Sequence, residues 1–296
     1  MIRIRTIALS VALGAALLAV SLAAQTRGVE HGRRYDRLVI RDVTIIDGKG
    51  TPARGPLDVV VENNRIAAVE PGPRSAAAYA KEEHVIDGTG MYLLPGLIDA
   101  HVHLQDERAG IPQPFEYSYK LWLSCGITTV RDVGSDASKT LIERQKSREG
   151  KIAAPRLYIY MVASGQTPDE IRRSVRAIKA QGADGVKIFG LDRDLMKACA
   201  EEARALGLRV AHHVAVEETD AWDDAAFGVS TIEHWYGIPD AALNGSQNFP
   251  PTYNYSNESD RFRYAGRLFR EADPEKLSRV LDTLIAPRVW PGFRPS

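Results

Sequence analysis

The chain has 296 residues, of which 44% are hydrophobic and 26% charged. That composition excludes a disordered or collagen-like chain and leaves room for one large domain, or one large and one small. Thirty-eight basic residues balance 38 acidic ones, so no charge excess points to nucleic acid or to an anionic membrane surface.

The first segment stands apart. Arg3 and Arg5 form a short basic head, Ile7 to Leu22 is an almost unbroken apolar run, and Ser21-Leu22-Ala23-Ala24 offers small residues for cleavage. This pattern predicts a secretory signal peptide over residues 1–24. An uncleaved membrane anchor is the alternative, but the run is short for a span, which takes about 20 apolar residues. The mature protein is therefore expected in the periplasm or outside the cell, meeting the membrane only transiently through this segment. Residues 25–35 are polar and aperiodic, as in a linker. The only cysteines are Cys125 and Cys199. They allow one disulfide, but two buried free thiols are the expectation.

From Leu38 the pattern changes. Leu38–Ile40, Val43–Ile46, Asp58–Val61 and Arg65–Val69 are β-branched runs punctuated by Asp47-Gly48, Asn63-Asn64 and Pro71-Gly72. They predict a small antiparallel sheet, here taken as a small β-sandwich domain over residues 36–97.

After Pro95, strand-like runs alternate with helix-like ones. The predicted strands are Ile98–His103, Ile127–Val133, Arg156–Met161, Gly185–Phe189, Leu208–Val214 and Thr231–Trp235. A helix is predicted from Thr167-Pro168-Asp169-Glu170, a capping box with proline at the first helical position. Ile171, Val175 and Ile178 follow at helical spacing, and Gly182 stops it. Asp192 to Leu206 repeats the design with Gly207 as its stop. Repeated β-α units imply a parallel sheet under helices. The fold class is therefore α/β, an incomplete TIM-type (β/α)8 barrel over residues 98–285 with about six of eight strands visible. Residues 239–262 lack periodicity, a helix is predicted over Asp273 to Ile285, and 286–296 form an irregular tail.

Five of the seven histidines fall at predicted strand ends: His101, His103, His212, His213 and His234. Active sites of barrels are built at such ends. His101-Val102-His103 puts two imidazoles on one strand face, within reach of one metal ion. Lys187, inside an apolar strand, is expensive to bury as a cation. Either it snorkels from the strand end, or burial exposes a neutral amine that takes up carbon dioxide to form a carbamate. Arg131-Asp132, at the second strand's end, reads as an ion pair at the barrel rim or beside the site. Tyr236, Tyr253 and Tyr255 follow the last strand, where a loop either contacts substrate or is a solvated insertion.

Pro95-Gly96-Leu97-Ile98-Asp99-Ala100-His101-Val102-His103, Gly126–Asp132, Val186-Lys187-Ile188, Gly207–His213 and Ser230–His234 occur in an order that resembles the amidohydrolase superfamily, in particular its imidazolonepropionase-like and prolidase-like metal-dependent hydrolases. The resemblance covers roughly residues 36–236. It implies a binuclear centre with His101 and His103 on one divalent metal, His213 and His234 on a second, and a CO2-derived carbamate on Lys187 bridging them. Zinc is the metal expected from a His-rich shell. His212 would face the helices. A bridging hydroxide would attack the carbonyl of an amide, cyclic amide or dipeptide-like substrate. The implied partner is a small molecule or short peptide, with no nucleic acid, and an oligomer is open.

The family also places a proton-shuttling Asp at its eighth strand. Only Asp240, Asp260, Asp273 and Asp282 follow His234, and none is expected at a strand end. No catalytic residue is assigned on that ground. The pattern reads as a shortened chain. The alternative function is a non-catalytic metal-binding or interaction protein on the same fold.

Overall fold

In the computed structural model the described residues are 35–72, 84–214, 218–254 and 257–285. The expected signal peptide, the linker up to residue 34, Tyr255 and the irregular tail lie outside them. Among the described residues no helix is long and apolar enough to cross a membrane. The chain divides into two compact units after Pro95.

In the first unit, strands β1 (Arg37–Ile45), β2 (Arg54–Glu62) and β3 (Arg65–Pro71) pair antiparallel. Asn63 and Asn64 join β2 to β3 with φ of 48° and 63°, the left-handed pair that lets a two-residue turn match the twist of its strands. The two runs predicted at Leu38–Ile40 and Val43–Ile46 are one strand. A register shift between Ile40 and Val43, with Asp42 at φ 58°, separates them only as a bulge. The short strands β4 (Val85–Asp87) and β5 (Tyr92–Leu93) correct the antiparallel expectation, because both run parallel to β1. A central strand must satisfy its backbone on both edges, and the returning chain fills the edge that β2 leaves. The described residues make one sheet, not the two layers of a sandwich.

The second unit holds the histidines. Its main sheet contains β6 (Leu97–Val102), β9 (Ile127–Val133), β10 (Arg156–Val162), β11 (Gly185–Phe189), β12 (Arg209–His213) and β13 (Thr231–Ile232), and a separate ribbon pairs β7 (Glu107–Arg108) with β8 (Ile111–Pro112). The six strands are all parallel and follow chain order from β6 at one edge to β13 at the other. The sheet curls into the half-barrel that the sequence predicts. The helices are α1 (Phe115–Ser124), α2 (Ala137–Arg148), α3 (Pro168–Ala180), α4 (Arg193–Ala205), α5 (Ala221–Phe227), α6 (Glu258–Glu271) and α7 (Pro274–Ile285).

Strand alternation sorts the side chains. Val130, Leu157 and Ile159 pack towards α1, and Val186, Ile188 and Val210 join Ile171, Val175, Ile178, Met196 and Cys199 of α3 and α4. Their neighbours Val133, Tyr160 and Ala211 cluster on the opposite, concave face. Gly185 is required there by close approach, since a Cβ would lie 2.5 Å from the Tyr160 ring. Thr167 caps α3 by accepting from the Glu170 N–H, but the Glu170 carboxylate accepts from Gln166 rather than from Thr167.

Three further expectations need correction. Cys199 is buried as predicted, but Cys125 is exposed, because it caps the end of α1. Helix α6 begins inside the stretch predicted to be irregular, capped by the Asn257 side chain on the Ser259 N–H. The last strand ends at Ile232 instead of Trp235, because His234 and Trp235 adopt left-handed backbone with φ of 61° and 73°.

Candidate metal centre

The concave face and the strand ends above it gather the four expected imidazoles. His101 lies in β6 and His103 one residue beyond it, with ring centroids 5.3 Å apart. His234 reaches within 4.4 Å of the His101 ring and 5.1 Å of His213. His213 ends β12, and alternation turns its neighbour His212 towards the helices, where Nδ1 lies 2.7 Å from Asp224 Oδ1 of α5. Strict alternation would put His234 on the same side as Ile232. The left-handed pair His234-Trp235 breaks that alternation and swings the imidazole back among the others.

Lys187 is on the concave face of β11 and fully buried, and its Nζ has no hydrogen-bond partner. It does not snorkel. Burial pulls it down to about 8, partly offset by the Glu233 charge and reinforced by Arg131. Its charge is felt by both His103 and His213. Desolvation, then Lys187 and Arg261, drive His213 down to about 3. Desolvation and the neighbouring positive groups also lower the more exposed His103. Both rings are therefore neutral near pH 7, the form whose lone pair binds a metal.

Glu233 was not foreseen. It is buried, and its carboxylate contacts His101 Nδ1 and accepts from Arg131 Nη2 at 2.7 Å and from Thr231 Oγ1 at 2.9 Å. Burial opposes its ionisation, yet the His101 hydrogen bond and the Arg131 charge hold it down to about 2. The expected Arg131–Asp132 pair does not form, since strand neighbours face opposite sides. Arg131 turns inward to Glu233, whereas Asp132 is buried beside Ser135, whose hydroxyl donates to it at 2.6 Å.

Tyr236 is buried with its ring 5.1 Å from His213 and 5.4 Å from His234. Arg261 of α6 lies over that ring, 4.7 Å from its centroid, and its Nη1 is 3.2 Å from His213 Nε2. Tyr253 instead stacks on Phe249 at 4.0 Å. Of the downstream acids, Asp240 lies in a short 3-10 helix, Asp260 accepts from the Asn254 N–H, Asp273 caps α7 and Asp282 is exposed. None stands at a strand end.

Among the described residues no group of three His, Cys, Asp or Glu side chains converges in ligating geometry, and His101 is turned onto Glu233. The residues nevertheless fit a divalent metal. The four imidazoles, of which His103 and His213 are neutral near pH 7, accompany a buried amine that lacks any hydrogen-bond partner, the donor set that a carbamylated, metal-bridging lysine would complete.

Residues 92–249 match the family model described as the amidohydrolase family. The chain is 28% identical over 218 residues to a dihydroorotase of Solibacter usitatus, covering 69% of this chain and 48% of that protein. It is 29% identical over 189 residues to an allantoinase of Streptomyces avermitilis, covering 59% and 41%. The chain thus spans about half the length of the curated relatives it matches. In fold it is similar to the bottromycin amidohydrolase structure (TM-score 0.61, 18% identity, 81% of this chain and 50% of that one). It is likewise similar to a Xaa-Pro dipeptidase structure (TM-score 0.57, 22% identity, 84% and 74%).

Proposed function

This chain belongs to the amidohydrolase family, whose model matches more than half of it, and from that premise we propose that it is a metal-dependent hydrolase of C–N bonds in amides, cyclic amides or dipeptide-like substrates. The observation that carries the proposal is the chain of neighbouring rings His103, His101, His234 and His213 together with the buried Lys187 amine, which has no hydrogen-bond partner and whose charge acts on His103 and His213.

His101 and His103 would hold one divalent metal, His213 and His234 a second, and Lys187 would bridge them. Zinc is the first choice for a histidine-rich shell. Bound metals would supply a Lewis acid and an activated water at neutral pH. The remaining chemistry belongs to the chain. The neutral Lys187 amine attacks carbon dioxide through nitrogen and sheds one proton, leaving a carbamate anion with two oxygens. Low dielectric around Lys187 favours the amine that starts this step. Arg261 and Tyr236, beside His213, are placed to orient a small molecule or short peptide.

Export to the periplasm or the medium is part of the proposal. It is supported by Arg3, Arg5, the apolar run Ile7–Leu22 and the small residues that follow. N-terminal sequencing of the mature protein checks it.

The test of function is metal content and turnover together. The purified chain is expected to hold one to two equivalents of divalent metal. It should then hydrolyse a member of a panel spanning the cyclic amides for which the dihydroorotase and allantoinase relatives are named, and Xaa-Pro dipeptides. Well-folded protein with under one equivalent of metal and no turnover on the panel overturns the reading.

A further inference from the structure

A six-stranded parallel sheet leaves its first and last strands unpaired with each other, and β6 and β13 are the two edges here. The proposed ligands are divided between those edges. His101 sits on β6 and His234 just past β13, yet their rings are 4.4 Å apart. Something other than backbone pairing must set that separation.

One side chain touches both edges. Arg131, on β9, donates from Nε to the Ala100 carbonyl of β6 at 2.6 Å. Its Nη1 donates to Thr231 Oγ1 of β13 at 3.0 Å and its Nη2 to Glu233 Oε1 at 2.7 Å. A guanidinium suits this task because its donors form a rigid planar fork. Glu233 continues the link. Its Oε1 also accepts from Thr231, and its Oε2 meets His101 Nδ1 back on β6. The path Ala100–Arg131–Glu233–His101 therefore leaves β6, crosses the concave face to the last strand and returns to β6.

We propose that Arg131 and Glu233 are positioning residues that brace the two edges of the open sheet across its interior, and so set the spacing and the tautomer of the first metal-holding half-site. The inference rests on the metal-centre reading above. A carboxylate can only accept at Nδ1, so the proton His101 shares with Glu233 sits on Nδ1 and Nε2 is the nitrogen left to face a metal. Ligating histidines are commonly oriented this way, and loss of the orienting partner typically costs about 10- to 100-fold in metal affinity.

Glu233→Gln tests the brace with the least change of shape. A carboxamide has one acceptor oxygen, so it cannot serve His101 and the Arg131–Thr231 pair together. Two readouts on the full chain are needed. In the metal-free protein, 15N-histidine spectra should show His101 as the Nδ1–H tautomer, and Glu233→Gln should shift that pattern. In cobalt titrations, Glu233→Gln should weaken the tighter site about 10- to 100-fold, and Arg131→Lys should follow it, because one ammonium cannot span three acceptors on opposite edges. An unchanged tautomer together with an unchanged cobalt Kd in Glu233→Gln overturns the proposal. Should that variant not fold, the same readouts on Thr231→Val decide it, with no change again overturning the proposal. A wild-type chain that binds no cobalt defeats the metal-centre reading, while the metal-free tautomer still decides the brace.

Discussion

His212 and His213 are adjacent in β12 and serve opposite layers: His212 Nδ1 bonds Asp224 Oδ1 at 2.7 Å behind the sheet, while the His213 ring sits 5.1 Å from His234 in front of it. The two histidines are therefore separable by experiment. His212→Ala is expected to lose roughly 1–3 kcal/mol of stability, because it removes a buried hydrogen-bond partner of Asp224, and to retain metal. His213→Ala is expected to lose metal with a smaller change in stability. Denaturant titration and metal analysis of both variants check this, and the reverse pattern would reassign the ligand.

Lys187→Met is expected to stabilise the metal-free chain in buffer purged of carbon dioxide. The lysine's folded value is below its unfolded one, so its contribution to stability is lost as pH falls from about 10.5 towards about 8. At pH 7 the buried cation costs roughly 3 kcal/mol, an upper figure for a shift of this size. Methionine fills the space without the charge. The variant should be the more stable at pH 7, lose that advantage near pH 10–11, and bind less metal at every pH. Urea titrations at pH 7, 9 and 10.5 provide the measurement.

Asp132 shows the opposite sign. Burial pushes its carboxyl up to about 6, against the Ser135 hydrogen bond. The folded state therefore holds its proton longer than the unfolded chain does. Stability from this group is full below about pH 4 and falls as pH rises to about 6. Asp132→Asn keeps an acceptor for Ser135 and cannot ionise. The difference in unfolding free energy between variant and wild type should grow from pH 4 to 6 and stay level above it. A flat difference across that range would contradict the burial argument.

Arg261→Ala is expected to tighten divalent-metal binding several-fold at low ionic strength, with the gain shrinking as salt is added. A guanidinium has no lone pair, so His213 meets it as acceptor at 3.2 Å, through the nitrogen that would otherwise face a metal. Equilibrium dialysis at two salt concentrations checks the direction. Weaker binding in the variant would mean that Arg261 supports the site rather than competing for it.

The parts of the site carried by regular strands were legible from period two. His101 and His103 share a face, Lys187 alternates with buried Val186 and Ile188, and His212 faces away from His213. Where the backbone leaves the regular strand, the rule misleads. If His234 points inward, counting puts Glu233 outward, yet both meet His101 because His234 and Trp235 are left-handed. Adjacent opposite charges suggested an Arg131–Asp132 pair that pleating forbids. Arg261 was hidden because it stands in the first turn of α6, inside the Asn-, Pro-, Tyr- and Ser-rich stretch 239–262, whose composition masks where the helix begins. In the first unit, parallel β4 and β5 are three and two residues long, too short for any pattern to show direction.

The left-handed pair at His234 and Trp235 also bears on how metal occupancy and local order are linked. Such backbone costs roughly 1–2 kcal/mol per residue away from glycine, whereas His101 lies in a strand that the sheet fixes directly. Any metal held through His234 must therefore select the kinked form of residues 233–236 from whatever straighter forms compete with it. Its affinity is then reduced by the fraction of chains lacking the kink. Filling of the second position would report the folding equilibrium of four residues, and hydrogen exchange at those amides should slow in step with it.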